Sequence, residues 1–346
     1  MERQTMKRSI TFAVSALSST VLCACVLTAR AQEPAPLKLV QTIKLGAEIK
    51  GHFDHFGIDL KGQRLFVTAE DAKAVLVYGL NDGKLIHTIG NISRPHAVLI
   101  RDDLNRIYVT DGGTGDLKIF DGSTYSLIST VKLELDADSI GYDPQTHLLY
   151  IDNGGGDAKQ TFSLISIVNT DTGAKVGDIK VDGDTLEALR LERSSSKMYV
   201  NNRAKNQIEV IDREKRTILA SWKVAGATMN VAMALDEAHH RLFVGCRSGH
   251  IVVFNTETGK QLEALPTDKG VDDVVFDAAS GRIYASCDGA INVYRETDAD
   301  HYQSLGKIAS GPLGRTSSLA PELHRYFVAV PAHDAVPAEV LIYEVN

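Results

Sequence analysis

The amino-acid sequence predicts an all-β fold: a seven-bladed β-propeller of four-stranded blades, closed by an N-terminal strand that joins the last blade. Three observations lead there. A short phrase recurs seven times, as Arg64-Leu65-Phe66-Val67, Arg106-Ile107-Tyr108-Val109, His147-Leu148-Leu149-Tyr150-Ile151, Lys197-Met198-Tyr199-Val200, Arg241-Leu242-Phe243-Val244, Arg282-Ile283-Tyr284-Ala285 and Arg325-Tyr326-Phe327-Val328. Its aromatic advances in steps of 42, 42, 49, 44, 41 and 43 residues, the period of propeller blades. A second β-rich run follows each phrase, and the last unit ends one strand short while a spare strand precedes the first.

In chain order, the N-terminus reads as an export signal. Lys7 and Arg8 are followed by the apolar or small stretch Ile10 to Leu27 and by a small-x-small site, Ala29-Arg30-Ala31. Residues 1–31 are therefore expected to be removed after Ala31. Leu22-Cys23-Ala24-Cys25 also fits a lipobox, so lipid attachment at Cys25 is the alternative. The location expected is periplasmic or secreted. Residues 32–36 make a short linker, and the propeller spans 37–346. Leu39 to Leu45 is the spare strand, assigned to the incomplete seventh blade because a closed ring hides sheet edges.

Within each unit, the strand before the aromatic phrase is exemplified by Ala97-Val98-Leu99-Ile100. The run after it is exemplified by Val75-Leu76-Val77-Tyr78 and Ile251-Val252-Val253-Phe254. Turn residues such as Asn81-Asp82-Gly83 and Asp171-Thr172-Gly173 tolerate the positive φ of tight hairpins. A weaker strand, such as Leu127 to Val131, completes the four.

The repeats resemble the YVTN-type seven-bladed propellers of the YncE-like family. Tyr108-Val109-Thr110-Asp111 and Tyr199-Val200-Asn201-Asn202 are close variants of that phrase. The resemblance covers the whole expected mature chain and implies a fold much more than a role. Without a Trp-Asp signature closing the strands, the chain stands apart from WD40 proteins within the wider superfamily.

The full chain carries a net charge of −7. Loss of residues 1–31 would leave about −10, which disfavours nucleic acid and anionic membranes as partners. A monomer is expected. Cys246 and Cys287 lie in neighbouring blades, at a spacing that does not suit a metal site; an oxidising compartment would allow a disulfide, but strands of separate blades are often too far apart, and two buried thiols are expected. Gly154-Gly155-Gly156 lacks the Lys-Ser/Thr of a phosphate loop, and the chain has neither Gly-x-Ser-x-Gly nor Cys-x-x-Cys-His.

The repeat register exposes one position worth comparing. Twelve residues before each aromatic stand Asp54, His96, Asp138, Glu187, Val231, Asp272 and Arg315. This position is expected at the start of the innermost strand, so the residues would converge on one mouth of the central channel. His52, His55, Asn230 and Asp273 flank it. Asp111, Asp152, Asn153, Asn202 and Arg203, at the ends of the second strands, are expected on the same face. Longer loops after the second strands of blades 3 and 7, Asp152 to Gln160 and Val330 to Pro337, land there too.

Two readings follow. In one, the mouth binds a small polar ligand, a peptide or an envelope partner protein, with His52, Asp54, His55, His96, Asp138, Glu187, Asn230, Asp272, Asp273 and Arg315 as contacts. In the other, Glu187, Asn230 and Asp272 hold a divalent cation such as Ca²⁺ and the chain is a lactonase-like hydrolase, with Asp54 or His96 as general base. His52, His55 and His96 could instead recruit a transition metal. In a regular strand, however, His52 and Asp54 would face one side while His55 faced the other.

Overall fold

All seven repeated aromatics are buried, none more than 3% exposed. They pack into seven separate apolar clusters, one at each junction between successive blades. Phe66, for instance, packs with Val98, Ile107 and Val109 of the next blade. The core is thus distributed around the ring, as the repeat period requires.

The computed structural model describes residues 35–346, together with positions 1, 2, 5, 6 and 9. Cys25, Ala31 and the first linker residues lie outside the described residues. Seven four-stranded antiparallel sheets run around the channel. In blades 1 to 6 the strands follow in sequence order from the innermost outwards. Their inner strands are Gly57–Asp59, Pro95–Arg101, Ala137–Asp143, Leu186–Leu191, Asn230–Asp236 and Asp273–Asp277. Blade 7 contains Thr316–Ala320, Arg325–Val330 and Glu339–Val345, and takes Leu37–Lys44 as its outer strand. The register there runs from Leu37 opposite Val345 to Lys44 opposite Glu339. The spare strand lies where the sequence placed it.

Several inner strands carry a bulge at their mouth end, between Pro95 and Val98, Ala137 and Ile140, Leu186 and Leu189, and Asn230 and Ala232. A bulge breaks the strict alternation of faces, so consecutive side chains can point into the channel. Cys246 and Cys287 are free and buried, and burial pushes each thiol up to about 12. No helix of the described residues is long and apolar enough to cross a membrane.

Candidate functional site

The inner strands start, and the second strands end, around a cavity of about 330 Å³ at one mouth of the channel. All seven residues of the expected ring line it: Asp54, His96, Asp138, Glu187, Val231, Asp272 and Arg315. His52, His55 and Asp273 line it as well.

Blades 1 to 3 supply a carboxylate–imidazole cluster. His96 Nδ1 lies 2.5 Å from Asp54 Oδ2 and 3.8 Å from Asp138 Oδ1. His55 crosses the channel: its Nε2 is 3.3 Å from Ser139 Oγ in blade 3, and its Nδ1 is 3.4 Å from Asp273 Oδ1 in blade 6. The expected alternation along residues 52–55 does not apply, because regular strand begins only at Gly57. Asp54 and His55 therefore both reach into the cavity, while His52 stays at its exposed rim, 3.2 Å from Asp71.

Blades 4 to 7 present arginines. Arg203 Nη1 contacts Glu187 Oε1 at 2.7 Å. Asp272 is held from two sides, by Arg247 and by Arg315, whose Nε lies 3.0 Å from Oδ2. Across the mouth, Arg94 bridges Asp136 at 2.5 Å and Asp157 of the longer blade 3 loop at 2.7 Å.

Electrostatics follow from crowding in a narrow, poorly solvated space. Burial opposes charge on His96, yet Asp138, Asp54 and Glu70 outweigh it and lift the imidazole to about 10. His55 is likewise raised well above its usual value: burial is overcome by Asp54, Asp273 and Asp138. Asp138 is pushed up to about 7 by burial, with His96 offsetting part of the cost. Glu187 rises to about 7 through burial and the nearby Asp138. For Asp54, burial is outweighed by His55 and His96, and the carboxyl stays below its usual range. These shifts favour His96 and His55 as donors and Asp54 as the acceptor between them.

The cation set Glu187, Asn230 and Asp272 is not brought together. The bulge at Asn230 turns its side chain into the blade, where Nδ2 donates to Asn201 Oδ1 at 2.9 Å and to the Gln207 carbonyl at 3.1 Å. Glu187 and Asp272 each face guanidinium groups, which would repel a cation. The residues that could hold a metal at this mouth are Asp54, His96 and Asp138, whose ligand atoms lie within 4.8 Å of one another. Asp138 Oδ1 is buried without a hydrogen-bond partner, which fits a missing ligand. One imidazole with two carboxylates suits a first-row transition ion better than Ca²⁺.

Three residues expected at the mouth brace the blades instead. Asp111 accepts from the backbone N–H groups of Ser93 and Arg94 and from Lys118 Nζ. Asn153 Nδ2 donates to the Ile151 carbonyl at 2.9 Å, and Asn202 Nδ2 to the Asp182 carbonyl at 2.8 Å. The residue one place further on does line the cavity: Glu70 in blade 1, Arg203 in blade 4, Arg247 in blade 5 and Pro331 in blade 7. A position fourteen residues before the aromatic adds Asp136, Thr185 and Leu313. Glu70, Asp136 and Arg247 were not singled out from sequence, although the same register contains them. Asp152 is wholly buried beneath the mouth, both carboxylate oxygens unpartnered. Burial, with Asp138 and Glu187 nearby, raises its carboxyl well above the usual range.

No family model matches the chain. Over 122 residues it is 28% identical to the uncharacterized protein YncE of Salmonella typhimurium and, equally, to that of Salmonella typhi. That match covers 34% of this chain and spans 34% of the length of each curated relative. Together with the seven-bladed ring, it makes the chain similar to the YncE-like propellers. Among solved structures, the chain is similar to a chain of the mitotic checkpoint complex, with a TM-score of 0.75 at 13% identity, covering 98% of this chain and 99% of that one. It is also similar to a chain of Kuenenia stuttgartiensis hydrazine synthase, with a TM-score of 0.70 at 12% identity over 84% and 99% of the two chains. At such identities the likeness is one of fold alone.

Proposed function

We propose that this propeller is an exported binding protein that takes a small polar ligand, or a polar segment of a peptide or envelope partner, into the charged mouth. The observation that carries this reading is that the two sides of one cavity offer different polar groups. Arg203, Arg247 and Arg315 stand beside Glu187 and Asp272 on the side of blades 4 to 7, whereas Asp54, Glu70, Asp136 and Asp138 stand with His55 and His96 on the side of blades 1 to 3. A ligand with a carboxylate or similar anion at one end and an ammonium or hydroxyl group at the other would match both sides. The volume suits such a molecule.

Thermal-shift screening of amino acids, sugar acids and short peptides against the purified chain tests the proposal. A ligand found this way is expected to bind at least about tenfold more weakly to Arg315→Ala. Unchanged affinity after joint Asp272→Ala and Arg315→Ala substitution would rule out this face.

The Asp54–His96–Asp138 cluster favours a second reading, a metal-dependent hydrolase. An ion held there would polarise a carbonyl and acidify a bound water, with the arginines orienting the substrate anion. Stoichiometric metal in the purified protein, lost on His96→Ala substitution together with esterase or lactonase turnover, would support it. A chelator-treated protein that keeps its full turnover would remove it.

A further inference from the structure

The face opposite the mouth repeats one junction seven times. There the backbone N–H of a residue within two places of the end of each third strand donates to the carbonyl of the turn between the first and second strands. Leu80 donates to Gln63, Gly122 to Asn105, Thr170 to His147, Arg213 to Ser196, Thr256 to His240, Glu296 to Gly281 and Val345 to His324, at 2.7 to 3.0 Å. These seven residues are therefore structurally equivalent, and the side chains of Thr170, Arg213 and Glu296 reach the preceding blade. Two of these junctions pair complementary polar groups. Thr170 accepts from Arg101 of blade 2, and Arg213 Nη2 lies 3.4 Å from Asp143 Oδ2 of blade 3.

Glu296 departs from that pattern. It faces Asp236, the last residue of the inner strand of blade 5, so two carboxylates meet with side-chain exposures of only 2% and 5%. His239 Nδ1 lies between them, 2.6 Å from Asp236 Oδ2 and 3.3 Å from Glu296 Oε2. Arg241, which pairs with Asp236 in the ladder, is committed elsewhere: to the carbonyls of Ala299, His239 and His240 and to Asp300 Oδ1. Glu296 Oε1 is buried without a partner. One imidazole thus faces two buried carboxylates, and such a group calls for another positive charge.

We propose that Asp236, His239 and Glu296 form a metal site at the junction of blades 5 and 6, suited to a first-row divalent ion such as Zn²⁺. One ligand atom from each residue lies within 4.8 Å of the others. An imidazole with two carboxylates matches Zn²⁺, and it offers too few oxygens for Ca²⁺. His239, on the turn after the strand, is 54% exposed and leaves the ion a way in from solvent. A bound ion would fasten the third strand of blade 6 to the inner strand of blade 5. This site shares no residue with the mouth and does not depend on what binds there.

Zn²⁺ alone is the probe. The chelator-treated full chain is titrated calorimetrically, in parallel with His239→Asn, Glu296→Gln and the mouth variant His96→Asn. The wild type and His96→Asn are expected to share one binding event that His239→Asn and Glu296→Gln weaken on the order of 100-fold or more. Because His239 is an exposed turn residue, His239→Asn is expected to fold normally, and its unfolding midpoint without metal checks this. The visible spectrum with Co²⁺ should show a nitrogen-ligated band that disappears in His239→Asn. If no Zn²⁺ binds, or if His239→Asn binds it as the wild type does, the two carboxylates share a proton instead and the proposal fails.

Discussion

Removal of residues 37–44 is expected to cost the propeller more stability than any single substitution, and to make it aggregate. The segment contributes Leu37 and Ile43, 3% and 5% exposed, to the junctions on either side of blade 7. Burial of two such side chains stabilises by about 3–6 kcal/mol. The ladder with Glu339–Val345 adds roughly 1 kcal/mol per hydrogen bond. A loss of this size should lower the midpoint of thermal unfolding by more than about 10 °C. It would also bare a strand bearing Val340, Leu341, Ile342 and Tyr343, a template for pairing between molecules. Ile43→Ala is a milder version, expected to cost about 2–5 kcal/mol. Differential scanning calorimetry with light scattering measures both effects, and a truncated chain that melted like the full one would show that the latch is dispensable.

Stability is expected to fall as pH rises from about 4 to about 10, the reverse of a protein held together by salt-bridged carboxylates. Asp138, lifted by burial to about 7, binds its proton more tightly when folded than when unfolded. Its contribution is complete below its ordinary value near 3.8 and is lost by about pH 7. Glu187 behaves in the same way. His96, lifted to about 10, contributes fully below its ordinary 6.5 and loses that contribution as pH climbs through 10. Taken as isolated groups, Asp138 and His96 would each be worth about 4–5 kcal/mol, and less when they titrate as one cluster. Urea unfolding between pH 4.5 and 9.5 should show the slope. Asp138→Asn should flatten the acidic part and His96→Asn the alkaline part. Stability that increased over this range would mean that the cluster is more open to water than its geometry indicates.

The blades were legible because each blade junction needs an aromatic at the same height, and that demand is written into the sequence at a fixed period. The ring that begins with Asp54 and His96 was legible for the same reason. What escaped was the fine rotation of side chains where the inner strands begin. Val231 lines the cavity as the register expects, but the bulge at Asn230 sends its amide into the blade, a change that alternation along a strand cannot anticipate. The second strands likewise turn Asp111 and Asn153 inward to brace loops and give the following position to the mouth. Partners across blades were hidden as well. Nothing local to Asp272 announces Arg247 and Arg315, and Glu296 meets Asp236 only because two blades stand side by side.

The latch on blade 7 also sets an order of events. Blades 1 to 6 each form from one contiguous stretch of chain, whereas the Ala35 carbonyl accepts from Asn346 Nδ2 across 311 residues. Closing so long a loop costs on the order of 5 kcal/mol in chain entropy, little more than a loop half as long. The delay falls on kinetics: the strand synthesised first has no partner until residues 339–345 have been made, and it must wait, exposed, while six blades assemble. Joining position 346 to position 36 and opening the chain between two other blades would turn the longest-range pairing into a local one. Such a permutant should reach the same ring by a faster route.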